Sequence, residues 1–193
     1  MNIQSLCAHV YEDSEGLLKS QSTLADGALQ LDFECDDWNA AKKRRRFQLR
    51  CEDVKEARIE LGYVGAISLH EDHPLLLKHQ GLQSELYFST VPASPEVVFT
   101  RVSGALQREC KGWRESREFL NGTPDELVLN LRGGHGLLAR GPKPSIVSLQ
   151  HDLDALLSLQ LLDSYVAKGK WLALIIETSW VISARVTVRE HDA

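Results

Sequence analysis

No apolar run in the chain is longer than the six residues Trp171 to Ile176, far short of the roughly 18–20 that a helix needs to cross a bilayer. The N-terminus, MNIQSLCAHVYEDSEGLL, has no basic segment, apolar stretch or small-residue cleavage site, so no secretory leader is expected. Cysteine is sparse and unpatterned. Cys7, Cys35, Cys51 and Cys110 form no CxxC and no Cys/His spacing of a structural zinc site, which points to reduced, buried thiols and a cytoplasmic setting. Excess positive charge is missing too. With 22 Lys+Arg against 27 Asp+Glu and a formal net charge of −5, the chain lacks the basic footprint of a nucleic-acid-binding domain. Also lacking are HExxH, GxSxG, GxxxxGK[ST] and any GxGxxG that follows a strand, so no catalytic or cofactor fingerprint is present and no cofactor is implied.

What is present is patterned. At 193 residues, 43% hydrophobic and 25% charged, the chain is long enough to bury a core without staples, and it reads as one domain spanning 1–193. From Leu29 to Asp36, apolar Leu29, Leu31, Phe33 and Cys35 alternate with Gln30, Asp32, Glu34 and Asp36, and from Arg44 to Glu52 apolar Phe47, Leu49 and Cys51 alternate with Arg46, Gln48, Arg50 and Glu52. This period of two predicts an antiparallel hairpin folded near residue 40 or 41. Short strands are expected over residues 56–61, 66–69 and 85–90, giving an N-terminal β-meander of about five strands across 28–90, with Pro74 opening a short helical turn.

Residues 95–162 read as mainly helical. Ser94 and Pro95 start a first helix that Gly112 stops, and residues 113–121 suggest a shorter one. Residues 122–144 read as irregular. A second long helix begins at Ser145, with Ile146, Leu149, Leu153, Leu156, Leu157 and Leu161 at helical spacing. Residues 171–189 read as a C-terminal β-hairpin joined at Thr178-Ser179, a buried helix over 171–184 being the alternative. The predicted class is α+β: an antiparallel sheet with two main helices on one face and the hairpin returning to the sheet.

The charge is unevenly spread. Residues 1–40 hold eight acids and one base, while residues 41–60 hold eight bases and four acids. The run Lys42 to Arg46 has the composition of a phosphate-binding patch for RNA or an anionic membrane. On the hairpin, however, Asp32, Glu34 and Asp36 lie opposite or diagonal to Arg44, Arg46 and Arg50, so pairing cancels much of that field. Glu12, Asp13, Glu15 and Asp26 remain uncompensated.

Two further stretches carry candidate chemistry. Gly133, Gly134 and Gly136, with Arg140 and Lys143 before the helix at Ser145, suggest an anion-binding loop, and His135 is the candidate acid–base group there. His70, His73 and His79, with Glu71 and Asp72, supply candidate metal donors, although their spacing fits no strong motif and no metal is expected. The reading leans to a cytoplasmic, non-enzymatic binding or protein-interaction module, such as an inhibitor or immunity-type partner steered to a basic protein by its carboxylates. Self-association through a sheet edge is a further expectation. The rival reading is an enzyme acting on a small anionic or phosphorylated substrate at the 133–145 loop.

Overall fold

In the computed structural model, which describes residues 2–37 and 43–191, the α+β class is observed. Where the sequence suggests one domain over 1–193, the internal contacts define two units: one built from residues up to Leu76 and from Lys170 onward, the other from Leu77–Gly169.

The first unit begins with α1 (Ile3–His9), capped by Asn2, whose Oδ1 accepts the Ser5 N–H at 2.7 Å. Strands β1 (Gly16–Thr23), β2 (Leu29–Asp37), β3 (Lys43–Glu52), β5 (Gly62–Val64) and β12 (Arg185–His191) form one antiparallel sheet in the order β12-β3-β2-β1-β5. The β2–β3 register sets Leu29 opposite Cys51, Leu31 opposite Leu49 and Phe33 opposite Phe47; the alternate pairs are Glu34–Arg46 and Asp36–Arg44. The expected hairpin therefore forms, and its fold-back near residue 40 or 41 lies outside the described residues, as do Trp38 and Lys42. The Phe33 and Phe47 rings stack with centroids 6.3 Å apart.

A second antiparallel sheet, β4 (Glu56–Arg58), β11 (Ser179–Ser183), β10 (Leu172–Ile176) and β6 (Ile67–His70) in that order, contributes Ile67, Leu174, Ile176 and Val181 to the core that also holds Leu18, Leu31, Phe33, Phe47 and Leu49. The C-terminal hairpin is a hairpin and not a helix, with two changes. Ile176 faces Ser179, so the connection is Glu177-Thr178 and not Thr178-Ser179. Glu177 adopts φ 52°, and its carboxylate accepts the Gly65 N–H at 2.7 Å, which ties the left-handed residue to the β5–β6 turn. The second strand also breaks at Ala184: β11 pairs with β10 and β4, whereas β12 crosses to pair with β3. Such strand switching makes the corner between two packed sheets.

The second unit contains β7 (Gly81–Phe88), α2 (Pro95–Cys110), a 3-10 turn (Ser116–Phe119), α3 (Pro124–Gly133), β8 (Gly136–Pro142), α4 (Lys143–Leu153) and β9 (Leu159–Ala167). Its antiparallel sheet runs β8-β7-β9. The strand expected at 85–90 is thus the centre of this sheet and not the last strand of an N-terminal meander. Leu86, Phe88 and Leu138 pack with Val98, Val102 and Leu106 of α2, Leu127 and Leu131 of α3, and Ile146, Leu149 and Leu153 of α4.

Three expectations fail here. Residues 122–144 are not irregular: Thr123 and Glu126 form a reciprocal capping box that opens α3, and β8 follows. There are accordingly more than two main helices. The helix from Ser145 ends at Leu153, because eight of residues 159–167 pair with β7; Leu161 lies opposite Leu86 as a strand residue. Apolar spacing alone extended the helix, and backbone pairing with a distant strand ended it.

Candidate functional site

The glycine stretch is not an open loop. Gly133 ends α3, and Gly134 is its left-handed cap (φ 80°), donating to the Asn130 and Leu131 carbonyls; a Cβ there would collide with Val91. Gly136 begins β8. This helix-to-strand order is the reverse of the strand-to-helix turn that aims backbone N–H groups at a phosphate. His135 is exposed, its Nδ1 3.2 Å from the Gly133 carbonyl, and Lys143 donates to Asp163 at 2.8 Å. His135 and Lys143 are thus engaged by neighbours of their own, and Arg140 lines a cavity.

That cavity, of about 290 Å³, lies within the second unit between the sheet and the 3-10 turn, with Lys78, Glu85, Glu118, Arg140, Ser164 and Tyr165 on its wall. Beside it sits a charge hub. Glu118 accepts Lys78 Nζ at 2.5 Å and Arg114 Nη1 at 2.8 Å on Oε2, and the Glu115 N–H at 3.1 Å on Oε1. The Arg114 side chain is only 3% exposed. Partial burial acts to raise the Glu118 pKa, but the Lys78 hydrogen bond, the Glu115 N–H and the Arg114 charge outweigh it and leave the carboxyl below its ordinary value. The i,i+4 spacing of Arg114 and Glu118 reads in sequence as a solvated surface pair; the structure makes it a mostly buried one. Its depth was hidden because Lys78, which also binds Glu118, comes from a separate segment.

His70 and His73 belong to the first unit and His79 to the second. The His70 and His73 rings lie 5.2 Å apart, but His70 Nε2 is 2.9 Å from the Ser68 hydroxyl and His73 Nδ1 accepts the Leu75 N–H at 3.3 Å. His79 Nε2 lies 3.5 Å from Arg114 Nη2. Among the described residues no group of three or more His, Cys, Asp or Glu is placed to hold a metal ion. The four cysteines are all free thiols; burial pushes Cys51 up to about 12.

Of the basic run, Arg44, Arg45 and Arg46 are ion-paired, as the hairpin reading expects. Arg44 binds Asp36 at 2.9 Å and Glu34 at 3.2 Å, Arg46 lies 3.9 Å from Glu34, and Arg45 pairs with Glu190 through two hydrogen bonds. One expectation is corrected. Asp26 is not uncompensated, since it pairs with Arg50 across 24 residues of chain.

Glu12 and Glu15 lie beside exposed aromatics. The 3-10 turn Glu12–Ser14 is fixed by buried Ser14, whose hydroxyl donates to the Tyr11 carbonyl at 2.6 Å. Edge strand β5 pairs with β1 so that Tyr63 sits opposite Leu17, and the Tyr63 hydroxyl donates to the Glu12 carbonyl. Gly16 allows this approach, because a Cβ there would overlap the Val64 carbonyl oxygen. Tyr11 (45% exposed) and Tyr63 (59%) thus flank an acidic turn, and Leu61 (55%), two residues before Tyr63, is exposed as well. Among the described residues, neither Glu12 nor Glu15 has an ion-pair partner. Sequence reasoning found the acids and missed the tyrosines, because only the β1–β5 pairing brings residues 11 and 63 together.

The fold and these surfaces define an α+β chain with a polar cavity in one unit and an aromatic–acidic face on the other. No protein-family model, curated protein or solved structure matches the chain. No helix among the described residues is long and apolar enough to cross a membrane.

Proposed function

We propose that this chain is a non-enzymatic protein-interaction module that docks a basic partner protein through the face formed by Tyr11, Glu12, Glu15, Leu61 and Tyr63. The observation that carries the reading is the Tyr63–Glu12 hydrogen bond, which holds exposed tyrosines and unpaired carboxylates in one preorganised patch. Tyrosines supply large contact area at low cost in conformational entropy and are enriched among binding hot spots. The surrounding carboxylates steer and select a positively charged partner. A cytoplasmic setting belongs to the proposal and is supported by the free state of the cysteines. The non-enzymatic part is supported by the engagement of Lys143 with Asp163 and of His135 with its own chain.

Affinity capture from native lysate, comparing wild type with Tyr63→Ala and with Glu12→Lys/Glu15→Lys, tests the reading. A basic protein should be retained by wild type and lost with both variants, and should rebind when purified, with an affinity that falls as salt is raised. Equal capture by wild type and variants overturns the reading.

Self-association is a second reading, favoured by β9. It is an edge strand whose Leu162, Tyr165 and Val166 are exposed, the kind of edge that pairs with another chain. A concentration-independent monomer mass by light scattering excludes it.

A further inference from the structure

We infer that the cavity of the second unit is a binding pocket for a small ligand bearing an oxyanion, a carboxylate or a phosphate, with Arg140 as its anchor. This site is separate from the docking face and does not depend on it. Of the cations around the cavity, Lys78 and Arg114 are held by Glu118 and Lys143 by Asp163. Arg140 lies directly opposite Glu85 across the β7–β8 pair, the position at which a cross-strand ion pair is favoured, yet among the described residues it has no ion-pair partner. The Glu85 carboxylate instead accepts the Tyr87 hydroxyl at 2.9 Å.

Two hydroxyl-bearing residues of β9 line the same cavity. Gln83 pairs with Tyr165 and Ser84 with Asp163, so Ser164 is the extra residue of a β-bulge. Bulges re-aim side chains and are frequent beside functional sites. Among the described residues neither the Ser164 nor the Tyr165 hydroxyl has a hydrogen-bond partner. A guanidinium and two hydroxyls, all with donors to spare, therefore border one cavity.

Charge agrees with this. On the wall, Lys78 and Arg140 balance Glu85 and Glu118, and Arg114, which also binds Glu118, shares in neutralising that carboxylate and leaves the Arg140 charge less opposed. Arg is the side chain whose paired N–H groups match a carboxylate or phosphate. The volume of about 290 Å³ stands at the lower limit of small-molecule sites, which sets the ligand as a compact acid and not a dinucleotide.

The test is a nuclear magnetic resonance titration of the 15N-labelled full chain with benzoate, succinate and inorganic phosphate, each at fixed ionic strength. Saturable amide shifts are expected around Ser84, Glu85, Arg140, Gly141, Ser164 and Tyr165 with at least one probe. A preference for the carboxylates or for phosphate identifies the source of the oxyanion. Arg140→Gln, at an exposed position, should weaken binding roughly tenfold or more with the amide spectrum away from the cavity unchanged, while Arg132→Gln, which removes an arginine paired with Glu96 away from the cavity wall, should bind as wild type. The inference is overturned if no probe gives saturable shifts at these residues, or if Arg140→Gln binds as tightly as wild type.

Discussion

Replacing Glu118 with Gln removes the charge that holds Lys78 and Arg114 while keeping the side chain's volume. The consequence is set by Arg114, whose side chain is 3% exposed and would lose the carboxylate that accepts its Nη1 at 2.8 Å. Breaking a fully buried pair by removing one partner costs about 3–5 kcal/mol. Here Glu118 is 28% exposed and Lys78 34% exposed, so solvent screens part of the loss, and about 2 kcal/mol is expected. Urea unfolding followed by circular dichroism at 222 nm, where α2, α3 and α4 dominate, should show the midpoint falling by about 1–2 M. Adding Arg114→Met should recover part of the loss, because the stranded cation is then gone as well. A Glu118→Gln midpoint equal to that of wild type, or a double variant no better than the single one, would refute the reasoning. The pH dependence has a fixed sign. Since the folded-state pKa of Glu118 is lowered, its contribution is complete above the ordinary Glu value of about 4.3 and is lost as pH falls through the lowered value.

Other expectations follow from packing and burial. Phe47→Ala empties a site 1% exposed and stacked on Phe33, and should lower stability by about 3–5 kcal/mol in the same urea assay; a loss under 1 kcal/mol would contradict the shared core of the two sheets. Gly16→Ala should lower the melting temperature measured by calorimetry, since its Cβ overlaps the Val64 carbonyl, and an unchanged value would mean that β5 is not held against β1. With Cys51 pushed up to about 12, its thiol should resist a disulfide reagent at pH 8 in the folded protein and react once urea unfolds the chain. Rapid labelling of Cys51 without urea would contradict its burial.

How much of this was legible in the sequence depended on how local the deciding interactions are. The 29–52 hairpin declared itself because both faces of both strands alternate, and because Glu34 and Asp36 meet Arg46 and Arg44 in the register that the apolar residues require. Helix α2 was bounded by residues whose backbone preferences are intrinsic: Pro95 at its start and Gly112, in the left-handed region, just after its end. In the case of α3 the local signal existed, in Thr123-Pro124-Asp125-Glu126 followed by Leu127 and Leu131, but the adjacent glycines drew the reading toward a loop. Strand β9 had no comparable local signal, since its leucines continue the spacing of α4 and only the pairing with β7 separates them.

The candidate sites divide in the same way. Arg140 was legible as a cation near glycines, whereas its partners in the cavity wall, Ser164 and Tyr165, are joined to it through β7. The acidic turn was legible as composition, whereas Tyr63 reaches it only through the three-residue strand β5.

The claim at the centre of the account is that the Tyr11–Tyr63 face is the surface a partner covers. Hydrogen exchange of the chain, alone and bound to the basic protein it captures, measures this directly. The account predicts that new protection falls at residues 11–15 and 61–64, and protection confined to other segments, with those two unchanged, would contradict it.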